Sequence, residues 1–525
     1  MLFPSWAFLL FLAVLVPVYY LVPKRIQWIV LLLANGVFVC FAGLLGAVFM
    51  AVTIVTVYAA SRGIDTLFVR QRDTLAAMKA THTKEERKKE RLRFEKKRRG
   101  ILVACLVVNF GILFALKYGA MLGRLSAGLF GTKAFGQDLA LTMGISFYTF
   151  STVGYLLDVY RETIPAEKNP LKLALFTSFF PLLVQGPITR FETAGKALTE
   201  PHTFSGERFL SASLRIAWGY WKKLIVADRL LVAVRALCAK PDVYRGDFIF
   251  VEMLLYAACL YADFTGGIDI TIGVGEMLGV PIEENFNRPY FSKSISEYWR
   301  RWHITLGEWF KRYVYYPLSV SKPMRALSKG TRRFGVGVSR RVPVYLATLL
   351  VWALTGAWHG SNLTFLVWGL LNGAVILLSE ELKPLYARFH ARFPRLTESA
   401  FYRGFTVIRT VLLLSSLRIL DCYGTVKGAF SSFFSMFTTW NWGAVFRGGV
   451  QSLGLSYFDY AVAFSGVLAM FALSMVQRSG AIRPRILKRG TVFSVCVLLV
   501  LIGTILIFGR YGFGFDASQF IYNRF

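Results

Sequence analysis

Two histidines stand in sequence contexts that suit acid–base chemistry, and His359 is the more informative. It lies in the segment Ala-Leu-Thr-Gly-Ala-Trp-His-Gly between two apolar runs, with Gly356 and Gly360 close on either side. An ionisable residue at membrane depth is costly and is a candidate for function by default. Glycines beside it let a substrate or another backbone approach closely. A histidine that only joins two helices by a hydrogen bond fits the same residues equally well.

His303 lies in a second segment, residues 295–313, which is both aromatic and basic. Its larger apolar residues recur every three or four positions, a spacing that predicts an amphipathic helix. Because Trp and Tyr favour the headgroup zone, one interpretation is an interfacial helix that anchors the chain on anionic lipid. The other is that this helix covers an active site containing His303. The other histidines lie in polar or basic stretches and are expected to be solvated: His82, His202 and His390.

Neutral imidazole is the usual general base near neutral pH, and the sequence carries no competing catalytic signature. It has no Gly-x-Ser-x-Gly turn, no GxxxxGK[ST] phosphate loop and no HExxH zinc motif. The six cysteines show no CxxC or CxxH spacing, so we expect small buried thiols in helices, without a disulfide framework or a metal site. They are Cys40, Cys105, Cys238, Cys259, Cys422 and Cys496.

The composition indicates that these residues are held within a membrane. Of the 525 residues, 55% are hydrophobic and 17% charged, and the mean hydropathy is +0.50, whereas about a quarter of an ordinary globular chain is charged. The hydrophobic excess excludes disorder. It also argues against a nucleic-acid partner, despite a formal charge of +31. We therefore expect an all-α polytopic membrane protein, with the lipid bilayer as its surroundings.

The positive charge is concentrated in three stretches. Residues 62–100 carry a net +8, residues 322–341 carry seven basic residues and no acid, and residues 477–490 carry five basic residues and no acid. Basic loops stay on the cytoplasmic side of a membrane. We therefore predict that all three stretches are cytoplasmic loops.

A spanning helix needs about 20 mostly apolar residues, and twelve segments are candidates. They are residues 4–22, 26–42, 44–60, 101–118, 138–157, 209–235, 249–275, 345–358, 362–379, 405–420, 455–476 and 491–508. Lys24 and Arg25 follow the first run, which predicts a retained span with its N-terminus outside. A shorter run, residues 171–185, ends in Gln-Gly-Pro-Ile and predicts a broken helix packed in protein or lining a cavity. The expected total is about ten to twelve transmembrane helices plus re-entrant and interfacial helices.

Several segments carry a family resemblance. WRRWHITLGEWFKRYVYYPL (299–318) and LTGAWHGSNLTFLVWGLLNG (354–373) strongly resemble the membrane-bound O-acyltransferase (MBOAT) family, above all its bacterial alginate O-acetyltransferase-like branch. Six further segments resemble that branch in the same order. They are GISFYTFSTVGYLLDVYRE (144–162), FPLLVQGPITRF (180–191), WKKLIVADRL (221–230), YADFTGGIDITIG (261–273), ENFNRPY (284–290) and QFIYNRF (519–525).

The resemblance implies a fold and a set of roles. The fold would be one membrane domain over residues 1–525, a ring of tilted helices around a central tunnel. His359 matches the residue regarded as catalytic in the family, and His303 matches the second motif histidine on the opposite side of the tunnel. On the same basis we expect seven substrate-binding residues: Arg300, Arg301, Trp302, Asn285, Asp263, Asp269 and Trp358.

The implied activity is acyl transfer from a thioester to a hydroxyl, with His359 as general base and His303 orienting the thioester or stabilising the oxyanion. We expect acetyl-CoA as donor substrate, no bound cofactor, a cell-surface polysaccharide as acceptor, and an extracytoplasmic protein that completes the transfer. The expected location is the bacterial inner membrane. The alternatives are D-alanyl transfer from an acyl-carrier protein to teichoic acid, and a polymer exporter or scaffold without catalysis.

Overall fold

The computed structural model describes residues 2–130 and 144–512, and within these ranges the chain is helical, with no β-strand. An isolated antiparallel bridge joins Phe286 and Trp302. The described chain forms two compact units, Met1–Phe209 with Val274–Glu283, and Leu210–Gly273 with Glu284–Phe525. The expected all-α membrane architecture is confirmed, while the assignment of residues 1–525 to one domain stays a prediction. The QFIYNRF segment lies outside the described residues.

The first unit begins with long apolar helices. Its α-helices are α1 (Trp6–Leu21), α2 (Gln27–Ala42), α3 (Leu44–Ala77), α4 (Lys84–Phe130), α5 (Ile145–Tyr160), α6 (Pro170–Ser178) and α7 (Phe180–Val184). Most of the basic stretch 62–100 continues α3 and α4 as helix, and its position in the cytoplasm stays a prediction. Its charges are partly covered, because the Arg98 guanidinium stacks on the Phe68 ring at 3.8 Å and donates a hydrogen bond to Gln71.

The predicted break in residues 171–185 is present between α6 and α7. A break at membrane depth leaves backbone groups without helical partners, and Asn35 on α2 satisfies some of them. Its side-chain oxygen accepts a hydrogen bond from the Phe180 amide at 3.1 Å, and its amide nitrogen donates to the Leu175 carbonyl at 3.4 Å. Asn35 is fully buried. The broken helix therefore packs in protein, one of the two alternatives that the sequence left open.

The remaining helices lie wholly or mostly in the second unit. They are α8 (Gly206–Trp221), α9 (Asp228–Ala239), α10 (Asp247–Met277), α11 (Ile295–Trp299), α12 (Ile304–Phe310), α13 (Tyr316–Ser319), α14 (Lys322–Thr331), α15 (Val336–His359), α16 (Leu363–Glu381), α17 (Lys383–Arg392), α18 (Pro394–Thr397), α19 (Ala400–Arg418), α20 (Val426–Ser435), α21 (Trp442–Ala444), α22 (Tyr457–Val476), α23 (Ile482–Leu487) and α24 (Thr491–Phe508). The first residues of α8 (206–209) and the last residues of α10 (274–277) belong to the first unit.

Eight helices in the described ranges are long and apolar enough to span a membrane, and the shorter apolar α1 adds a possible ninth. They are Lys24–Phe41, Leu44–Ala77, Lys84–Gly123, Asp247–Met277, Val336–His359, Leu363–Glu381, Tyr457–Ser479 and Thr491–Phe508. One of the twelve candidates, 209–235, is divided by the π-helical Lys222–Ala227. The candidate 138–157 lies partly outside the described residues, and its described part belongs to α5.

The basic stretch 322–341 is helical, and its position in the cytoplasm stays a prediction. It forms α14, a short 3₁₀ turn (Arg332–Phe334) and the first residues of α15. Ser321 caps α14 by accepting a hydrogen bond from the Met324 amide, and Pro323 occupies the first turn, where its missing N–H costs nothing. The basic side chains thus extend from a helical hairpin that leads directly into the helix ending at His359.

Candidate active site

The hairpin of α15 and α16 positions His359, and its glycines allow the two helices to touch. A β-carbon on Gly356 would lie 2.3 Å from the Phe365 carbonyl oxygen, and one on Gly369 would lie 2.2 Å from the Trp352 carbonyl oxygen. Real β-carbons do not approach so closely, so this crossing requires glycine. Gly356 therefore allows the close approach of another backbone. The sequence left open whether a backbone or a substrate approaches at this glycine.

His359 is the last residue of α15 and is 4% exposed. Its ring packs edge-on against Trp358 at 5.0 Å and Trp368 at 4.8 Å between centroids. The next residue, Gly360, leaves the helix in an extended conformation, and a β-carbon there would lie 2.1 Å from the Phe365 ring. The motif Trp-His-Gly therefore ends a helix and holds the imidazole between two tryptophans.

His303 occupies a turn where the sequence predicted a continuous helix over residues 295–313, and that prediction was wrong. Helix α11 ends at Trp299 and α12 begins at Ile304, while His303 adopts the left-handed conformation with φ of 49°. Such a conformation costs a non-glycine residue about 1–2 kcal/mol, so tertiary contacts must maintain it. The helical spacing of the apolar residues continues on both sides of the turn, which is why the pattern did not reveal it.

Asn285 supplies the contacts that hold this turn. The Asn285 carbonyl accepts from the Ile304 amide at 3.1 Å, and its side-chain oxygen accepts from the Thr305 amide at 3.1 Å and the Thr305 hydroxyl at 3.0 Å. Two positions further on, the Asn287 amide donates to the Arg301 carbonyl at 2.9 Å. The segment predicted to bind substrate thus fixes the backbone of the histidine turn.

The same asparagine indicates the protonation of His303. His303 Nδ1 lies 3.3 Å from both side-chain atoms of Asn285. Because the Asn285 oxygen already accepts two hydrogen bonds from Thr305, its amide nitrogen is the partner that donates to Nδ1, which leaves the imidazole proton on Nε2. Burial, reinforced by the positive charge of Arg418, lowers the pKa of His303 to about 3. His303 is therefore a neutral N–H donor at physiological pH.

The two histidines line one cavity of about 220 Å³ in the second unit. Trp299, Trp302 and Trp352 form much of its wall, together with Leu306 and Thr355. Trp358 lies against both imidazoles, at 5.8 Å from the His303 ring and 5.0 Å from the His359 ring. Positions 56 residues apart in the sequence thus share an aromatic, mostly apolar chamber in which electrostatic interactions are stronger than in water.

Arg418 is a site-associated residue that sequence reasoning did not identify. It is 8% exposed at the end of α19, and its guanidinium lies 4.7 Å from the Trp368 ring and 5.6 Å from the Trp302 ring. Its Nη1 pairs with Asp421 at 2.9 Å. Arg418 thus lies behind tryptophans that contact the cavity, and nothing in the local sequence Ser-Ser-Leu-Arg-Ile-Leu distinguishes it.

The predicted substrate-binding residues fall into separate groups. Trp302 lines the cavity, Trp358 contacts both histidines, and Asn285 supports His303 from outside the cavity. Arg300 is exposed, and Arg301 pairs with Glu297 at 2.6 Å. Neither arginine is among the residues lining the histidine cavity.

The two predicted acids belong to buried ion pairs. Lys223 pairs with Asp263 at 2.7 Å and with Asp228 at 2.9 Å. Asp269 pairs with Lys222 at 2.6 Å and with Arg215 at 2.9 Å. Neither acid lines the histidine cavity. Helix α10 continues through the Thr-Gly-Gly between the acids, where Gly266 contacts Gly219 on α8.

A larger cavity of about 550 Å³ lies beside the first in the same unit, and Asp269 lines it. Its wall includes the cations Arg215, Lys222, Arg288 and Arg483. Arg215 also binds Glu284 through two hydrogen bonds of 2.6 Å. Four basic side chains and two acidic ones give this cavity a net positive lining.

A thin aromatic partition separates the two cavities. Phe286, in the wall of the larger cavity, packs edge-on against Trp302, in the wall of the histidine cavity, with ring centroids 5.0 Å apart. Tyr261 of the larger cavity approaches the same tryptophan at 6.4 Å. The larger, charged cavity can therefore hold a polar group of a substrate, while the adjacent apolar cavity holds the group that reacts at the imidazoles.

Comparison with known proteins shows the family to which the chain belongs. Residues 161–412 match the sequence profile of MBOAT, the membrane-bound O-acyltransferase family. The chain is 32% identical over 393 residues to the "Probable alginate O-acetylase AlgI" of Azotobacter vinelandii, covering 73% of this chain and 69% of that protein.

Two further relatives differ in their named activities. The "Peptidoglycan O-acetyltransferase" of Helicobacter pylori is 30% identical over 284 residues, 49% of this chain and 51% of that protein. The "Teichoic acid D-alanyltransferase" of Bacillus subtilis is 27% identical over 247 residues, 46% of this chain and 59% of that protein. All three names describe transfer of an acyl group. With its multiple apolar helices, this chain belongs to the membrane-bound O-acyltransferase family and is a multi-pass membrane O-acyltransferase.

Proposed function

We propose that this protein moves an acetyl group from cytoplasmic acetyl-CoA toward hydroxyls of an extracytoplasmic cell-surface polysaccharide, with His359 as general base. The observation that carries the proposal is the cavity shared by His359 and His303. The 32% identity to a protein named for alginate O-acetylation supports an acetyl donor and a polysaccharide acceptor.

His359 is the stronger candidate for the base. As an acceptor hydroxyl attacks the thioester carbonyl, its proton passes to the imidazole, and the thiolate leaves as the tetrahedral intermediate collapses. The flanking tryptophans hold the ring in place and exclude water, which favours proton transfer from the bound hydroxyl. No covalent intermediate on the protein is required.

His303 is suited to the complementary role. A neutral imidazole with its proton on Nε2 donates one hydrogen bond, and a donor directed at the thioester carbonyl stabilises the oxyanion that forms during attack. The contact with Asn285 supports this tautomer. A single oxyanion donor contributes about 10²–10³ to kcat in well-studied acyl-transfer enzymes.

The larger cavity is suited to the charged part of the donor. Its net positive lining favours the phosphates of coenzyme A, and its aromatic border with the histidine cavity would allow the thioester to reach the imidazoles. Arg288 and Arg483 are the side chains we assign to phosphate contact. The basic hairpin at Arg332 and Arg333 is the alternative docking surface that the experiment below tests.

Replacing His359 by Ala tests the catalytic assignment. Loss of a positioned base reduces the rate about 10²–10⁴-fold, so cell-surface O-acetyl content should fall while the protein remains in the membrane fraction. His390→Ala is the matched control, because His390 is exposed on α17, away from this cavity. Wild-type acetylation in the His359→Ala strain would disprove the role of His359 as base.

A donor assay separates acetyl transfer from the alternative that the teichoic acid relative suggests. Purified protein is incubated with labelled acetyl-CoA or with a D-alanyl carrier-protein thioester, and loss of each thioester is followed. Acetyl-CoA should be consumed in a manner that depends on His359. Turnover of the carrier thioester alone would replace the proposed donor with a D-alanyl donor.

Two pairs of substitutions then locate the donor site. Arg288→Gln with Arg483→Gln should raise the KM for acetyl-CoA, while Arg332→Gln with Arg333→Gln should leave it unchanged. If the KM for acetyl-CoA rises only in the Arg332→Gln, Arg333→Gln variant, the donor binds at the basic hairpin and not in the larger cavity.

The remaining parts of the proposal concern topology and partners. We propose an inner-membrane location, with the three basic stretches in the cytoplasm and an extracytoplasmic protein that completes transfer to the sugar. Cysteine labelling from each side of the membrane tests the topology, using single cysteines at exposed positions in residues 79–99 and 477–490. If these positions are labelled only from the extracytoplasmic side, the proposed orientation is wrong and the basic stretches lie outside the cytoplasm.

A further inference from the structure

We propose that Cys238, Glu252 and Cys422 form a structural Zn²⁺ site. One ligand atom from each residue lies within 4.8 Å of the other two. The three residues come from separate parts of the second unit, at the end of α9, in the first turns of α10 and just after the 3₁₀ turn Ile419–Asp421. The site lies apart from the histidine cavity, and its argument does not depend on the proposed acetyl transfer.

The spacing of the ligand atoms is close to that of a metal site. Cys238 Sγ lies 3.7 Å from Glu252 Oε1. Around a tetrahedral zinc ion with Zn–S of about 2.3 Å and Zn–O of about 2.1 Å, sulfur and oxygen ligands are about 3.6 Å apart. The Cys422 sulfur lies within 4.8 Å of these two atoms, so side-chain rotation that brings it closer would place all three atoms around one ion.

The carboxylate has the surroundings of a metal ligand. Glu252 is fully buried, and a buried carboxylate needs a positive partner or a proton. The Tyr423 hydroxyl donates to Glu252 Oε2 at 2.9 Å, which leaves Oε1 directed toward the Cys238 sulfur. A hydrogen bond to the outer oxygen of a ligating carboxylate is the usual way that a protein orients such a ligand.

The donor set selects the class of metal. Two thiolates favour a soft or borderline ion, and the carboxylate fits the borderline Zn²⁺ better than Cu⁺. Mg²⁺ and Ca²⁺ prefer oxygen ligands and are poorly matched. Water or another small ligand would complete the fourth position.

The location suggests what the metal would stabilise. Cys422 follows the turn that contains Asp421, and Asp421 pairs with Arg418, whose guanidinium lies 5.6 Å from Trp302 in the wall of the histidine cavity. An ion joining Cys422 to α9 and α10 would restrain that turn. The site would therefore support the rear wall of the histidine cavity without contacting substrate.

Metal analysis of the full-length protein tests the proposal. The protein is purified in detergent with a tag that lacks histidines, dialysed, and measured by inductively coupled plasma mass spectrometry. We expect about one zinc per chain, as for other structural sites. Cys238→Ser and Cys422→Ser should each lose most of it, while Cys40→Ser and Cys496→Ser, which replace exposed cysteines, should retain it.

A spectroscopic measurement on the wild type keeps the proposal testable if the variants fail to fold. Co²⁺ exchanged into the site should give thiolate-to-cobalt absorption in the near ultraviolet and tetrahedral bands in the visible. The proposal is overturned if wild-type protein binds no more zinc than the cysteine variants, if cobalt gives no thiolate band, or if mass spectrometry finds a Cys238–Cys422 disulfide instead.

Discussion

Replacing Arg418 by Met removes the cation from a buried ion pair behind the histidine cavity. The Arg418 and Asp421 side chains are 9% and 2% exposed, and their charged atoms are 2.9 Å apart. At an effective dielectric constant of about 20, two unit charges at that distance attract by about 6 kcal/mol, and the cost of desolvating both groups offsets much of this. Removing one partner leaves the other charge buried, and the measured cost of such a change is about 3–5 kcal/mol. We therefore expect Arg418→Met to lower the free energy of unfolding by about this amount.

The loss should depend on pH in a defined direction. Burial raises the pKa of Asp421 above its ordinary value, and Arg418 opposes that rise. Without Arg418 the pKa rises further, so the folded variant holds a proton that the unfolded chain releases above about pH 4. Stability then falls as pH increases from about 4 to the folded-state pKa, because the unfolded state binds fewer protons. The difference between wild type and Arg418→Met should therefore be smaller at pH 5 than at pH 8.

Thermal unfolding in detergent at the two pH values provides the assay, and two companion variants make it decisive. Arg418→Met combined with Asp421→Asn removes both charges and should recover much of the lost stability, since replacing both partners of a buried pair is often neutral. Arg418→Lys retains the charge and should lose less than Arg418→Met. The reasoning is refuted if Arg418→Met is as stable as the wild type, or if the double variant is no more stable than the single one.

Two other predictions concern the histidine sites. A β-carbon on Gly369 would lie 2.2 Å from the Trp352 carbonyl oxygen, so Gly369→Ala should lower the free energy of unfolding, measured by thermal unfolding, by about 1–3 kcal/mol. Gly404→Ala is the control and should not destabilise the protein, because a β-carbon on Gly404 would meet nothing within 4 Å. Equal effects of the two substitutions would contradict the proposed packing. Burial lowers the pKa of His303 to about 3, whereas the imidazole in the unfolded chain has the ordinary pKa of about 6.5. Between these two pH values the unfolded chain binds a proton that the folded protein does not, so the free energy of unfolding decreases as the pH falls from about 6.5 to about 3. His303→Gln should remove about 2 kcal/mol of the stability change between pH 7 and pH 5, whereas His390→Gln should preserve it; an unchanged pH dependence in His303→Gln would show that His303 is not held neutral.

Several features of the site could be anticipated from the sequence. Composition and apolar run length indicate a helical membrane protein, because a bilayer core requires long stretches without exposed polar groups. The motifs around His303 and His359 indicate the family. The Gln-Gly-Pro-Ile after residues 171–184 indicates the end of α7 at Val184, since proline and glycine act on the backbone locally. The break at Phe179, between α6 and α7, lies upstream of that motif.

Other features could not be anticipated, because they depend on contacts between distant segments. The helical spacing through residues 295–313 gives no sign of the turn at His303, which is held by hydrogen bonds from Asn285. The tryptophan contacts of Arg418 likewise follow from packing around α19. The Cys238–Cys422 cluster joins residues 184 positions apart without any recognisable motif.

The sequence by itself determined the family, the membrane setting and the two histidines, because these are expressed in local composition and in short motifs. The tertiary structure alone decided which residues share a cavity, which acids are bound in ion pairs and how the imidazoles are oriented. Those properties are set by burial and by hydrogen bonds from remote parts of the chain. Asp263 shows the difference: the family resemblance predicted substrate binding, which stays a prediction, and only the folded chain shows that the Lys223 ammonium lies 2.7 Å from its buried carboxylate.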